Sequence, residues 1–113
     1  MKQVIIIRND INMSKGKTVS QGSHASVNAV QNSDENAVNT WLDEYAGTKI
    51  TLAVESKEQL LSLLEEADTK NIPTGYVEDL GRTEIDSGTL TAGAIGPYET
   101  EVIDEITGNL SLF

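Results

Sequence analysis

The chain has 113 residues, enough for one hydrophobic core and one domain but not for two. It contains no cysteine and a single histidine, His24, which excludes a disulfide framework, thiolate chemistry and cysteine or multi-histidine metal sites, and no motif asks for a metal or another cofactor. A formal charge of −10, taken as a whole, argues against a nucleic-acid partner.

Met1-Lys2 runs straight into Val4-Ile5-Ile6-Ile7, an apolar run too short for a signal sequence or a membrane span, so a soluble cytoplasmic protein with no membrane partner is expected. The same β-branched run predicts a strand buried on both faces, as in a sheet covered by helices on each side. Arg8 to Met13 reads as its polar exit loop, and a helix is predicted from about Lys17 to Gln31. At ~100° per residue, Lys17, Gln21, His24 and Asn28 fall within an arc of roughly 60°, one polar stripe. Val19, Gly22, Ser26, Ala29 and Val30 form the opposite side, mostly small and suited to lying close on a sheet.

Ser33 with Asp34 and Glu35 supplies an N-cap and an acidic first turn for a second helix. Its apolar positions are Ala37, Val38, Trp41, Leu42 and Tyr45, with Gly47 as a stop. Thr48 to Val54, rich in Thr, Ile and Val, predicts the next strand. Ser56 and Gln59 form a capping box ahead of Leu60, Leu61, Leu63, Leu64 and Ala67, a third helix that ends before Ile72-Pro73. Thr74 to Val77 is a short strand, Asp79 to Thr89 a glycine-containing polar loop, and Thr91 to Ile95 a fourth strand ended by Gly96-Pro97. Glu101 to Ile106 predicts a last short helix before the tail Leu110 to Phe113. The order implies a three-layer α/β/α fold with a mixed four-stranded sheet.

Two stretches carry candidate chemistry. Gly16-Lys17-Thr18 looks like the end of a phosphate-binding loop, but that pattern needs glycine at position 11, which is Ile11. A lysine at a helix N-terminus still suits an anion, because unpaired N–H groups and the helix dipole favour negative charge there. Asp79 sits where a strand gives way to a loop, the usual place for functional side chains in open α/β sheets. Charge is also unevenly spread: residues 1–33 carry Lys2, Arg8, Lys15 and Lys17 against Asp10, a net of +3, and residues 34–113 carry 4 basic against 17 acidic side chains, a net of −13. Such a surface is one of high solubility or of adaptation to molar salt, where the screening length falls to about 3 Å and repulsion of a polyanion largely vanishes.

Lys15-Gly16-Lys17, Gln21, Ser23-His24-Ala25, Asp79-x-Gly81-Arg82-Thr83 and the segment Thr91 to Pro97 together resemble the peptidyl-tRNA hydrolase family of archaea and eukaryotes, over nearly the whole chain. The resemblance implies a mixed sheet between helices, a homodimer, and hydrolysis of the ester between a peptide and the 3′ end of tRNA. It places Lys17, Gln21, Asp79 and Thr83 in the active site, with His24 and Arg82 close by. Ser20, Leu80 and Glu84 depart from the family's usual alanine, alanine and glutamine, and none of them removes a presumed catalytic group.

Ester hydrolysis needs a positioned water, a base and donors for the developing oxyanion. With no cysteine and no serine in a nucleophile-elbow pattern, direct attack by water is preferred to a covalent intermediate. On that scheme Asp79 orients or deprotonates the water, with His24 as the other candidate base. Lys17 stabilises the oxyanion or a terminal phosphate, Thr83 and Gln21 hold the ester and ribose, and Lys15, Arg82, Asn28 and Thr91 contact tRNA. The alternative is a non-catalytic acidic protein-interaction module on the same fold; a small-molecule-binding domain has only a generic strand-end cleft in its favour. Salt discriminates: an acidic binding module loses a basic partner as salt rises, whereas a salt-adapted hydrolase keeps working at ~1 M.

Overall fold

Alternation along the Val4–Ile7 run sets the architecture of the computed structural model, which describes residues 1–80, 86 and 88–113. Val4 and Ile6 enter one core with Leu52, Leu60, Ile95 and Ile103; Ile7 enters a second with Ala25, Ala29, Ala92 and Ala94. Successive side chains of a strand leave on opposite faces, so this strand is covered on both sides, as its composition predicts. It is β1 (Lys2–Arg8), followed by α1 (Lys15–Gln31), α2 (Glu35–Tyr45), β2 (Lys49–Val54), α3 (Lys57–Thr69), β3 (Thr74–Glu78), β4 (Leu90–Tyr98) and α4 (Thr100–Thr107). The strand order is β2-β1-β4-β3; β1 is parallel to β2 and antiparallel to β4, which is antiparallel to β3. α1 packs on one face of this mixed sheet and α3 and α4 on the other, giving three layers. Among the described residues no helix is long and apolar enough to cross a membrane.

Local signals set the element ends. Ser14 caps α1, its side chain accepting from the backbone N–H of Lys17, so the helix starts at Lys15 rather than Lys17. Asp34 caps α2 in the same way through Ala37, and Ala46 and Gly47 end it in left-handed conformations. At α3 the Ser56 hydroxyl accepts from Gln59 N, while Gln59 Oε1 accepts from Glu55 N, one residue earlier than a standard capping box.

Some expectations need correcting. β4 does not end at Ile95: it runs through Gly96-Pro97 to Tyr98, which pairs with Lys2. A proline fits this central strand because the register shifts there, so no ladder N–H is missing. Leu42, Tyr45 and Leu61 are exposed, and of the α2 stripe only Trp41 is buried. On α1 the packing face is Gln21, Gly22, Ala25, Ser26 and Ala29, while Val19 is 69% exposed.

Close approach of α1 to the sheet is built on Gly75, where a Cβ would lie 2.3 Å from Ala29 N and 2.8 Å from Ala25 O. Polar bonds fix the helix in that position. Fully buried Gln3 donates from Nε2 to the carbonyls of Ser26 (3.2 Å) and Gly96 (3.1 Å) and accepts from Ser26 Oγ at 2.5 Å. Asn28 and Asn32 donate to the carbonyls of Tyr76 (2.8 Å) and Thr74 (2.9 Å) on the edge strand β3. On the far edge, the C-terminal tail pairs with β2 through Ala53 N to Ser111 O (2.9 Å) and Phe113 N to Thr51 O (3.1 Å).

Candidate active site

The first turns of α1 and the C-terminal end of β3 enclose a cleft of about 330 Å³. Lys17, Gln21, His24 and Asn28 line it from the helix, as one stripe, and Val77 to Leu80 face them. Lys17 Nζ pairs with Asp79 Oδ1 across the cleft. The Lys17 side chain is 13% exposed and that of Asp79 2%, so neither charge keeps its full hydration and each depends on the other. The backbone of Asp79 is held as well, its N–H donating to Thr89 O (2.8 Å) and its carbonyl accepting from Gly88 N (2.6 Å).

Behind the ion pair, Gln21 is buried and donates from Nε2 to Thr91 Oγ1 at 2.7 Å. The Thr91 hydroxyl donates in turn to Val77 O at 3.3 Å. With its only proton used there, the hydroxyl can only accept from Gln21, which fixes which end of the amide faces it. Thr91 can turn toward α1 because the ladder has an irregularity here: Val77 pairs with Ala92 and Glu78 with Leu90, leaving Thr91 as the extra residue. Such a bulge redirects a side chain. Next to it, Arg8 donates to Leu90 O at 2.9 Å and grips Asp10 through Nε and Nη2. Those side-chain hydrogen bonds hold the Asp10 carboxyl below the usual carboxylate range and raise the Arg8 guanidinium.

Thr91, expected among the tRNA contacts, is 0% exposed and touches Gln21 instead; a side chain closed off from solvent is in no position to meet RNA. His24 is exposed at the cleft wall, and Asn28 lines the cleft with its amide nitrogen bonded to β3. Lys15, also exposed, lies on the other side of α1, against a separate groove. Arg82, Thr83 and Glu84 lie outside the described residues. Ser14 is a contributor outside the sequence-predicted set: its cap sets the helical turn from which Lys17 projects, and its signal is a serine directly ahead of the first helical residues. The assembled groups offer an ammonium for an anion or oxyanion, a carboxylate, an oriented amide and an imidazole.

The sequence model of the family described as peptidyl-tRNA hydrolase PTH2 matches residues 1–113. The chain is similar to the peptidyl-tRNA hydrolase of Halobacterium salinarum, 48% identical over 113 residues and all of both chains. It is 42% identical over 115 residues to that of Methanocaldococcus jannaschii, covering 99% of each, and 42% over 113 residues to that of Haloquadratum walsbyi, covering all of each. Among solved structures, a protein of unknown function from Agrobacterium tumefaciens superposes with a TM-score of 0.57 at 14% identity, covering 99% of this chain and 96% of that one, a likeness of fold alone.

Proposed function

The chain belongs to the peptidyl-tRNA hydrolase PTH2 family, and from that premise we propose that it hydrolyses the ester joining a peptide to tRNA with Lys17, Gln21, Asp79, Thr83 and His24 as its working side chains. Water attacks the ester carbonyl directly as its proton passes to the base, and the carbonyl oxygen gains negative charge as the tetrahedral intermediate forms. Collapse of that intermediate breaks the bond to the tRNA 3′ oxygen, which leaves with a proton as the free hydroxyl. Lys17, at a helix N-terminus whose dipole has the same sign, stabilises that oxyanion or the terminal phosphate. Asp79 sets the position of the ammonium and orients the water or takes its proton; His24, at the cleft wall, is the other candidate base. Gln21, oriented by Thr91, and Thr83 hold the ester and ribose. Arg82, Lys15 and Asn28 contact tRNA, Asn28 from the lining of the cleft.

The observation that carries this reading is the Lys17–Asp79 pair in a cleft lined by the rest of the α1 stripe. Its test is release of peptide from N-blocked aminoacyl-tRNA by the wild-type chain and by Lys17→Ala, at low and at molar salt. Lysine-dependent release is the expected result, and no release at any salt from folded protein overturns it. The relatives in Halobacterium and Haloquadratum and the −13 over residues 34–113 support a salt-adapted surface, which requires release to persist at ~1 M salt. Cytoplasmic residence and a homodimer complete the proposal, the latter checked by sedimentation.

A further inference from the structure

On the side of α1 away from the cleft lies an apolar groove of about 580 Å³. Ile5 and Ile7 of β1 and Thr51 of β2 line it, with Met13, Val19 and Phe113 beside them; Val19 is 69% and Phe113 53% exposed. Among the described residues no acidic side chain lines it, and its one charged side chain is that of Lys15. In a chain so rich in acidic residues this is an unusual surface, and contiguous apolar grooves of this kind mark binding sites.

Groove and cleft share the first turns of α1. Lys15 lines the groove and Lys17 the cleft. Between them the outward side of the helix carries Gly16 and Ser20, both exposed, and nothing lies within 4 Å of where a Gly16 Cβ would stand. A helix is ~10 Å across, and an extended chain advances ~3.3 Å per residue. A peptide whose ester sits at Lys17 therefore crosses this low saddle in about three residues and arrives at Val19 and Ile5.

We propose that the groove receives apolar side chains of the peptide in peptidyl-tRNA, at the third and fourth residues from the ester. This rests on the hydrolase reading above and adds a site for the peptide to it. The continuity of the two sites selects this occupant, and so does tethering: a ligand held by its own ester is at ~mM effective concentration, so an open groove suffices. A second copy of the chain suits the groove less well, because a symmetric contact there would set Lys15 near its own mate.

The test compares three substrates on one tRNA: N-acetyl-trileucyl-glycyl-tRNA, its triseryl counterpart and N-acetyl-glycyl-tRNA, each with wild type and with Val19→Asp. Val19 is exposed, so the variant keeps its fold. The expected result is a wild-type kcat/KM about tenfold higher for the trileucyl than for the triseryl substrate, the factor that burial of one large apolar side chain supports, and a ratio near one in Val19→Asp. Equal rates on both substrates in the wild type, or a preference that survives Val19→Asp, overturns the proposal. So does a wild-type dimer that Val19→Asp splits without any substrate preference, which would give the groove to a second copy. Failure to hydrolyse N-acetyl-glycyl-tRNA is a different result: it removes the hydrolase reading itself.

Discussion

Lys17 and Asp79, 62 positions apart in sequence, form an ion pair in which the carboxylate side chain is almost wholly withdrawn from solvent. Truncating the lysine leaves that carboxylate without this ammonium. Lys17→Ala is therefore expected to lose at least about 100-fold in kcat/KM, the scale of one lost oxyanion donor, and to be less stable than wild type, since a buried carboxylate loses this ammonium. Kinetics together with denaturant unfolding check both. Near-normal activity would remove Lys17 from the mechanism.

Thr91 bears on activity only through Gln21. Thr91→Val removes the acceptor of the Gln21 amide and leaves a buried N–H unpaired, at a cost of about 1–3 kcal/mol. Activity should fall about tenfold in kcat/KM, whereas Thr91→Ser keeps the hydroxyl and restores it. If serine fails to rescue, the hydroxyl is not what orients the amide.

The fit of α1 on β3 leaves no space at Gly75. Gly75→Ala places a methyl 2.3 Å from Ala29 N, so the helix must move or the strand must. A loss of about 3 kcal/mol, the upper part of the usual overpacking range, is expected in urea unfolding. Activity should fall with it, because the same helix carries Lys17 and Gln21. An alanine variant as stable as wild type would mean that this contact can relax.

Acid should weaken the anchor beside the bulge. The Asp10 carboxyl is lowered in the folded protein chiefly by its hydrogen bond from Arg8. A carboxyl lowered on folding adds stability above its unfolded range and loses it as the pH falls through the folded one, so between about pH 6 and about pH 3 the wild type should lose more melting temperature than Asp10→Asn. The gap will be small because the pair faces solvent. Parallel pH profiles would show that the pair contributes nothing to stability.

Where the sequence was legible, local periodicity was the reason. Val4 to Ile7, the α1 polar stripe and the Ser56–Gln59 cap each announce themselves within one or two turns of chain, and each stands in the structure. β4 was misjudged because its two irregularities are invisible to a period of two. One places Thr91 on the α1 side with Ala92, and the other lets Pro97 remain in the strand. Leu42 and Tyr45 follow helical spacing as faithfully as Trp41 does, yet of the three only Trp41 is buried, its Nε1 donating to Thr48 O at 2.9 Å. Spacing gives direction around a helix and says nothing about where the covered surface stops. The meeting of Lys17 with Asp79 is a tertiary fact, reachable from the sequence only through the family resemblance.

Both rims of the sheet are hemmed by the chain itself. Amides of α1 occupy carbonyls of β3, and the last three residues are stitched along β2. An open four-stranded sheet ordinarily invites a neighbour to add a strand, and repeated addition is how fibres grow. Here that route is obstructed at each border, so overheated or concentrated protein is expected to clump amorphously, through bare side chains such as Val27 and Leu42, and to bind fibril-sensing dyes only weakly. Trimming the final three residues would unpick one hem and turn a clumping protein toward an ordered aggregate.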